Sequence, residues 1–226
     1  MACNNIELVI GARGWNYDHW QNSFYPDGLP EEWRFSYYNN EFRSVLVPWE
    51  YLCEADSLQT QVWLNDTDEG FLFFIEVALH SRWEQIFPLV APLAPQLGGV
   101  YLRAVESHKV ASLDTVELER LVSGLAGIAP IIVDPTAFDS RLGAIVAPYH
   151  AGCYWRADDT DIEQCRERVA IVETSSVDKH HPKSLKKIIE HCCSLQGPTT
   201  IGFFVGGEAP SLDDLRNVTI IWQLMS

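Results

Sequence analysis

Charged side chains follow several short apolar segments of the chain, and their types suit the binding of anions. Arg13 follows the first of these segments and Arg103 follows the fourth. A guanidinium group matches the geometry of a carboxylate or a phosphate, so the two arginines could form a paired anchor for a small anion. The alternative is an internal ion pair with Glu76, Asp134 or Glu173, which an acidic chain makes easy.

Three of the residues that follow apolar segments have acid–base chemistry. His80 follows the third segment, Asp134 ends the fifth and Glu173 ends the seventh. Histidine titrates near neutral pH, and carboxyl groups act as general acids or bases when their surroundings tune them. We therefore predict His80, Asp134 and Glu173 as candidate catalytic residues. The alternative for His80 is a hydrogen-bonded loop histidine.

Aromatic residues are concentrated after the first apolar segment. Trp15 and Tyr17 lie nearest to its end, and Trp49 follows the second segment. We predict that these three rings line a ligand pocket anchored by Arg13 and Arg103. The rings farther along the first loop are expected to pack it onto the rest of the protein. These are Trp20, Phe24 and Tyr25.

Other patterns in the chain give weaker signals. The stretch VGGEAPSLDD places glycines and a helix start after the last apolar segment, which suits phosphate binding, but Glu208, Asp213 and Asp214 would repel an anion there. The pair His180-His181 is typical of a solvated helix start. The sequence carries no hydrolase, metalloprotease, nucleotide-binding or kinase motif. It therefore predicts no cofactor and no metal site.

The elements that must position these residues alternate between strands and helices. Seven short apolar runs are typical of strands buried on both faces, and an eighth falls within residues 143–156, where GAIVA and CYW compete. The seven runs are Leu8–Gly11, Val45–Val47, Phe71–Val77, Val100–Arg103, Ile131–Asp134, Val169–Glu173 and Thr200–Val205. Amphipathic helical patterns separate most of them.

Eight such units in 226 residues predict a TIM-like (β/α)8 barrel, with irregular units in the middle of the chain. We expect residues 1–226 to form a single domain. In this fold the functional groups gather at the carboxyl ends of the strands, where the charged residues above would lie. A doubly wound open sheet is the alternative, although GARGWN lacks the dinucleotide-binding glycine pattern.

The opening stretch IGARGWNYDHWQNSFYPDGLPEEW resembles the start of the YecE-like family (domain of unknown function 72). The matching positions are Gly11, Gly14, Trp15, Tyr17, Trp20, Phe24, Tyr25, Pro26, Leu29 and Pro30. FLFFIE and PQLGGVYLRA resemble two later strands of the family. The resemblance implies a TIM-like barrel of unassigned biochemistry.

This chain departs from the family pattern at several polar positions. Leu46 stands where the family has an acid, Pro48 where it has an amide, Glu76 where it has a lysine and Arg103 where it has a glutamine. The resemblance therefore implies that the polar site of the relatives is rebuilt or lost here.

Composition limits the classes of partner. The formal net charge is −15 and 47% of the residues are hydrophobic, so the chain can bury a full core and disfavours broad nucleic-acid binding. No apolar run reaches the ~20 residues that span a bilayer. The start lacks a signal-peptide pattern, so we expect a cytoplasmic protein with reduced cysteines and no membrane partner. The oligomeric state is not predicted.

Three functions remain open on these grounds. The first is a barrel that binds a small anionic ligand at its carboxyl-terminal face through a degenerate ancestral site. The second is a hydrolase or lyase acting on a phosphorylated or sugar-like small molecule. The third is a partner-binding protein without a site of its own, which an exposed patch of Trp49, Trp63 or Trp155 would favour.

Overall fold

The computed structural model describes residues 6–104, 113–134, 139–157, 167–175 and 182–226. Within these ranges eight parallel strands follow one another around a closed barrel. They are β1 (Glu7–Arg13), β2 (Ser44–Val47), β3 (Leu72–Ala78), β4 (Leu97–Arg103), β5 (Ile131–Val133), β6 (Gly152–Arg156), β7 (Val169–Ser175) and β8 (Thr200–Gly206). Strand β1 pairs with β2 and also with β8, so the sheet closes on itself. The predicted (β/α)8 barrel is confirmed, and the open-sheet alternative is wrong.

Helices connect the strands on the outside of the barrel. The described helices are α1 (Glu31–Tyr38), α2 (Trp49–Glu54), α3 (Ser57–Asn65), α4 (Trp83–Val90), α5 (Thr115–Ala126), α6 (Ser140–Val146), α7 (Pro182–Ser194) and α8 (Leu212–Met225). The proline-rich segment after α4 continues as a 3-10 helix over Ala91–Gln96, because proline cannot donate the backbone hydrogen bonds that an α-helix needs. None of the described helices is long and apolar enough to cross a membrane.

The structure shows which of the two apolar runs within residues 143–156 forms the sixth strand. The run CYW lies in β6, whereas GAIV belongs to α6, whose start is capped by the Asp139 carboxylate accepting the Leu142 backbone N–H at 2.8 Å. The described part of the chain supplies only two register pairs between β5 and β6, Ile132 with Gly152 and Val133 with Cys153. This is the irregular middle of the barrel.

The barrel interior holds a ring of inward-facing side chains, one from each of the strands β2 to β8. The ring consists of Leu46, Phe74, Tyr101, Ile132, Tyr154, Ile171 and Phe204, all buried. Because side chains along a strand point alternately to its two faces, residues two positions farther along face the same interior. The inward positions above this ring therefore open toward the carboxyl-terminal mouth of the barrel.

The first helix is fastened to the barrel through one buried hydroxyl. Tyr38 on α1 is completely buried, and its hydroxyl accepts the Ala12 N–H at 2.7 Å and donates to the Ser44 carbonyl at 2.8 Å. Between those strands Gly11 leaves room for this contact, since a Cβ there would lie 2.0 Å from the Ser44 carbonyl oxygen. Hydroxyl and glycine together set how closely α1 approaches the sheet.

The cysteines differ from the prediction at one position. Cys53, Cys153 and Cys192 form no disulfide, whereas Cys193 is disulfide-bonded. The prediction that all cysteines are reduced is therefore wrong for Cys193. Residues 192 and 193 are neighbours on α7 and point in different directions, so the buried Cys192 thiol stays separate, and burial raises its pKa to about 12.

Candidate functional site

A cavity of about 480 Å³ opens at the carboxyl-terminal mouth of the barrel. Its lining consists of Arg13, Glu50, Glu76, Tyr101, Arg103, Tyr154, Arg156, Glu173, Ser175, Gly207 and Glu208. Glu76, Arg103, Arg156 and Glu173 each lie two residues beyond a member of the interior ring on the same strand, whereas Tyr101 and Tyr154 belong to that ring. Three arginines and four glutamates therefore share one small volume.

Glu76 on β3 is the buried member of this group. Its side chain is 2% exposed and accepts two hydrogen bonds from Arg13, with the Nε to Oε1 distance 2.6 Å and the Nη2 to Oε2 distance 2.8 Å. The same carboxylate accepts Arg103 Nη1 at 3.2 Å and the Trp49 backbone N–H at 3.3 Å. One carboxylate thus joins β1, β4 and the start of α2.

Glu50 makes a second bridge between the same two arginines. Its Oε2 lies 3.3 Å from Arg13 Nη2, and its Oε1 lies 3.0 Å from Arg103 Nη1. The Glu50 side chain is 56% exposed, against 2% for Glu76. The bridge therefore closes the solvent side of the arginine pair, and only the Glu50 side chain has to turn for that side to open.

The charges of these residues stabilise one another. Although partial burial raises the pKa of the Glu50 carboxyl, its own backbone N–H and the charges of Arg13 and Arg103 hold that pKa below its ordinary value. Burial likewise opposes the charge of Arg13, but the contact with Glu76 raises the pKa of the guanidinium overall. Glu50 and Arg13 are therefore both charged at neutral pH.

Two stacked tyrosines form another part of the cavity wall. The rings of Tyr101 and Tyr154 are 4.1 Å apart and nearly parallel. The Tyr154 hydroxyl donates to Glu173 Oε2 at 2.6 Å and accepts Arg156 Nε at 3.3 Å. This places a phenol between a carboxyl group and a guanidinium within the cavity.

The Glu173 carboxyl is set apart from the other acids by its surroundings. Burial raises its pKa, against the opposing hydrogen bond from Tyr154, and the negative charge of Glu76 raises it further. The positive charges of Arg13 and Arg156 act in the other direction without cancelling the rise. A carboxyl group of raised pKa facing a cavity can give and take a proton closer to neutral pH.

The structure brings together only some of the predicted ligand-binding residues. Arg13 and Arg103 line the cavity, joined by the two glutamates. Tyr17 lies behind Arg13 and donates its hydroxyl to the Arg13 carbonyl oxygen. Trp49 begins α2 and its N–H reaches Glu76, whereas Trp15 is buried outside the barrel between helices.

The three predicted acid–base residues do not share one place. Glu173 lines the cavity. His80 is exposed and its ring packs edge-on to Trp49 with centroids 6.1 Å apart, and Asp134 acts electrostatically on Tyr101. Within the described ranges neither of these two residues lines the cavity. Their catalytic roles stay a prediction.

The residues that the sequence did not single out are Tyr101, Tyr154, Arg156 and Ser175. Tyr154 and Arg156 lie on the sixth strand, whose position the sequence left open, so their inward orientation was not assigned. The signal that finds them is the alternation of CYWR once the strand is placed, because Tyr154 and Arg156 are two residues apart. Tyr101 follows from Arg103 by the same rule.

A metal site is not formed by the described residues, among which no group of three histidine, cysteine or acidic side chains is suitably arranged. His180 and His181 lie outside the described residues. The cavity lining offers arginine, carboxyl and phenol groups.

Comparisons with known proteins agree on the family. A model described as "Protein of unknown function DUF72" matches residues 9–133. A DUF72 family protein from Thermotoga maritima has a similar structure, with a TM-score of 0.65 at 12% sequence identity over 96% of this chain and 99% of the other. Another, from Enterococcus faecalis, has a TM-score of 0.68 at 8% identity over 97% of both chains. No curated protein sequence matches the chain.

Glu76→Gln is expected to lower the free energy of unfolding by about 3 kcal/mol, because two guanidinium groups lose a buried counter-charge. Denaturant unfolding at neutral pH measures the change. Glu50→Gln is the control, since the more exposed bridge should cost less than about 1 kcal/mol. Equal losses in the two variants would show that burial of Glu76 does not govern the network.

Glu173→Gln is expected to remove a pH-dependent loss of stability. The folded protein holds the Glu173 proton more tightly than the unfolded chain, so unfolding free energy falls as pH rises from the ordinary glutamate pKa of about 4.3 to the raised folded-state pKa. Denaturant unfolding across this range measures the change. The free energy of unfolding of Glu173→Gln minus that of wild type should increase as the pH rises. The exposed Glu119→Gln on α5 should give a constant difference, and a flat profile for Glu173→Gln would contradict the raised pKa.

Proposed function

Because the chain belongs to the DUF72 family of proteins of unknown function, we propose a function from its own cavity: the barrel mouth binds a small molecule that carries a carboxylate or a phosphate. The observation that supports this most directly is the half-exposed Glu50 carboxylate held between Arg13 and Arg103. A carboxylate bound in this way marks the position that the anionic group of a ligand would take.

The charge balance around the arginine pair favours exchange at Glu50 and not at Glu76. Buried Glu76 neutralises one of the two guanidinium charges and remains in place, because removing it would leave uncompensated charge in the barrel. Glu50 neutralises the other charge from the solvent side, where an ion pair contributes little net free energy. A ligand anion that displaces Glu50 therefore keeps the site neutral at small cost.

The opposite wall supplies partners for the remainder of the ligand. Tyr101 and Tyr154 present stacked rings, while Glu173, Arg156 and Ser175 offer hydrogen-bonding groups around the same volume. A planar or hydroxylated body can pack on the tyrosines while its hydroxyls bond to these groups. The ligand class is thus a small anion with a polar, hydroxylated body.

Glu50→Ala is expected to strengthen anion binding, because the internal competitor for the arginine pair is removed. At low ionic strength, isothermal titration should show inorganic phosphate and succinate binding about tenfold more tightly to Glu50→Ala than to wild type, a difference of about 1.4 kcal/mol. Arg103→Ala in the Glu50→Ala background should abolish the gain.

Glu119→Ala is the matched control, since it removes one exposed negative charge on α5 that does not line the cavity. Thermal unfolding verifies that each variant is folded. Unchanged or weaker anion binding in Glu50→Ala, or the same gain in Glu119→Ala, would refute displacement of Glu50 by a ligand.

A second candidate function is acid–base catalysis on a phosphorylated or sugar-like molecule, as a hydrolase or lyase. The observation that favours it is the raised pKa of Glu173 together with its contact to the Tyr154 hydroxyl inside the cavity. Here the arginine pair would hold the anionic group and Glu173 would transfer the proton. His80 and Asp134 remain proposals for assisting residues.

For this second function, Glu173→Gln should abolish turnover of a phosphorylated sugar while leaving its binding within about threefold, because proton transfer and not charge anchoring is lost. A panel of sugar phosphates, followed by product analysis and titration, measures both. Glu119→Gln is the matched control, because it changes an exposed glutamate on α5 that does not line the cavity, and it should retain turnover. Undiminished turnover in Glu173→Gln would exclude Glu173 as the catalytic acid.

The structure gives the partner-binding alternative little support. It depended on an exposed patch of tryptophans, whereas Trp63 and Trp155 are buried and only Trp49 is partly exposed.

A further inference from the structure

Strand β8 contributes no side chain to the layer of charged residues at the barrel mouth. Gly206 lies two residues beyond Phe204 of the interior ring, so a side chain at this position would point into the mouth. The equivalent positions on β3, β4, β6 and β7 are all charged: Glu76, Arg103, Arg156 and Glu173. Gly206 therefore leaves a gap among charged side chains.

The carboxyl group of Glu173, on the neighbouring strand β7, occupies this gap. A Cβ at position 206 would lie 2.8 Å from Glu173 Cδ and closer still to Oε1, so an alanine does not fit while the carboxyl group stays where it is. Gly206 belongs to a strand and has no positive φ, so its backbone is open to any residue. What the structure requires at this position is the absence of a side chain.

The hydroxyl of Tyr154 holds the same carboxyl group from the other side. It donates to Glu173 Oε2 at 2.6 Å, whereas Oε1 is the atom nearest to Gly206. Each oxygen of the Glu173 carboxyl is thus placed by a different strand, one by β6 and the other by β8. The position of this carboxyl group depends on both contacts.

Arg13 is the competing partner for the Glu173 carboxyl. It lies on β1, which pairs with β8 on the side away from β7, and the carboxylates to which it bonds are Glu50 and Glu76. Burial raises the pKa of the Glu173 carboxyl and the positive charge of Arg13 opposes that rise, so the guanidinium is within electrostatic reach. A Glu173 side chain displaced from Gly206 can therefore turn toward the arginine pair.

We propose that Gly206 is a positioning residue: by leaving room for the Glu173 carboxyl, it keeps that group away from Arg13 and Arg103 and leaves the pair open to an external anion. This inference rests on the anion binding proposed above for the barrel mouth. Glu50 is an exchangeable competitor, because its half-exposed side chain can turn into water. Glu173 starts from a strand inside the mouth, so once it had turned to the arginines it would exclude a ligand more effectively.

The test is a double-mutant cycle in the Glu50→Ala background, in which Gly206→Ala is made with and without Glu173→Ala. With Glu173 present, isothermal titration of inorganic phosphate at low ionic strength should show about tenfold weaker binding after Gly206→Ala. With alanine at position 173, the same change should alter binding less than about twofold, because no carboxylate is left to compete. Gly70→Ala is the matched control and should leave binding unchanged, since a Cβ there meets no atom within 4 Å.

Tyr154→Phe provides a second variant that does not depend on the fit of a side chain at position 206. It removes the hydroxyl that holds Glu173, and it should weaken phosphate binding about threefold, again only when Glu173 is present. Thermal unfolding verifies that each variant is folded, and Tyr154→Phe decides the question if Gly206→Ala does not fold.

Two kinds of outcome would overturn the inference, and they are distinguishable. Equal weakening with and without Glu173, or no weakening in either case, would refute the positioning role and leave the proposed anion site intact. Absence of phosphate binding in every variant, including Glu50→Ala alone, would refute the proposed function and this inference with it.

Discussion

The buried carboxylate of Glu76 is the interaction on which the barrel mouth depends. Burying a charge without a partner costs several kcal/mol, so Glu76 on β3 requires both Arg13 on β1 and Arg103 on β4, together with the Trp49 backbone N–H. Two guanidinium groups on one carboxylate leave one positive charge, which Glu50 balances from the solvent side. The order of exposure, from Glu76 through the arginines to Glu50, separates the fixed part of the site from the exchangeable part.

Much of this site is predictable from the charged residues that follow apolar runs in the sequence. Arg13 and Arg103 were placed at the carboxyl ends of strands from their positions after apolar runs, and the alternatives named for them included Glu76, which is the partner that the structure shows. The bridge by Glu50 was not predictable in the same way, because it depends on the path of the short helix α2 after β2. Tyr154 and Arg156 could not be predicted to line the cavity, because the sequence did not decide which of two apolar runs forms the sixth strand.

The position of the Trp15 side chain could not be predicted from its spacing in the sequence. Trp15 follows the first strand by two residues, which placed it near the mouth, but Gly14 between them has a φ of 85°. This left-handed conformation turns the chain away from the barrel axis and is open to glycine at little cost. The indole therefore packs against Phe35, Tyr51 and Trp63 among α1, α2 and α3, and it does not line the mouth of the barrel. The six-residue helix α2 contributes to both regions, since Glu50 lines the mouth and Tyr51 packs against Trp15.

The opening loop is tied to the other end of the chain. The Trp20 indole N–H donates to the Pro210 carbonyl at 2.8 Å, and His19 Nε2 lies 3.1 Å from the same oxygen. These bonds span 190 and 191 residues, and β1 gains its second neighbour only when β8 arrives. The contacts of Trp20 and His19 with Pro210 can therefore form only when the segment after β8 has reached β1, so closure of the barrel and fastening of this loop belong to the same step of folding.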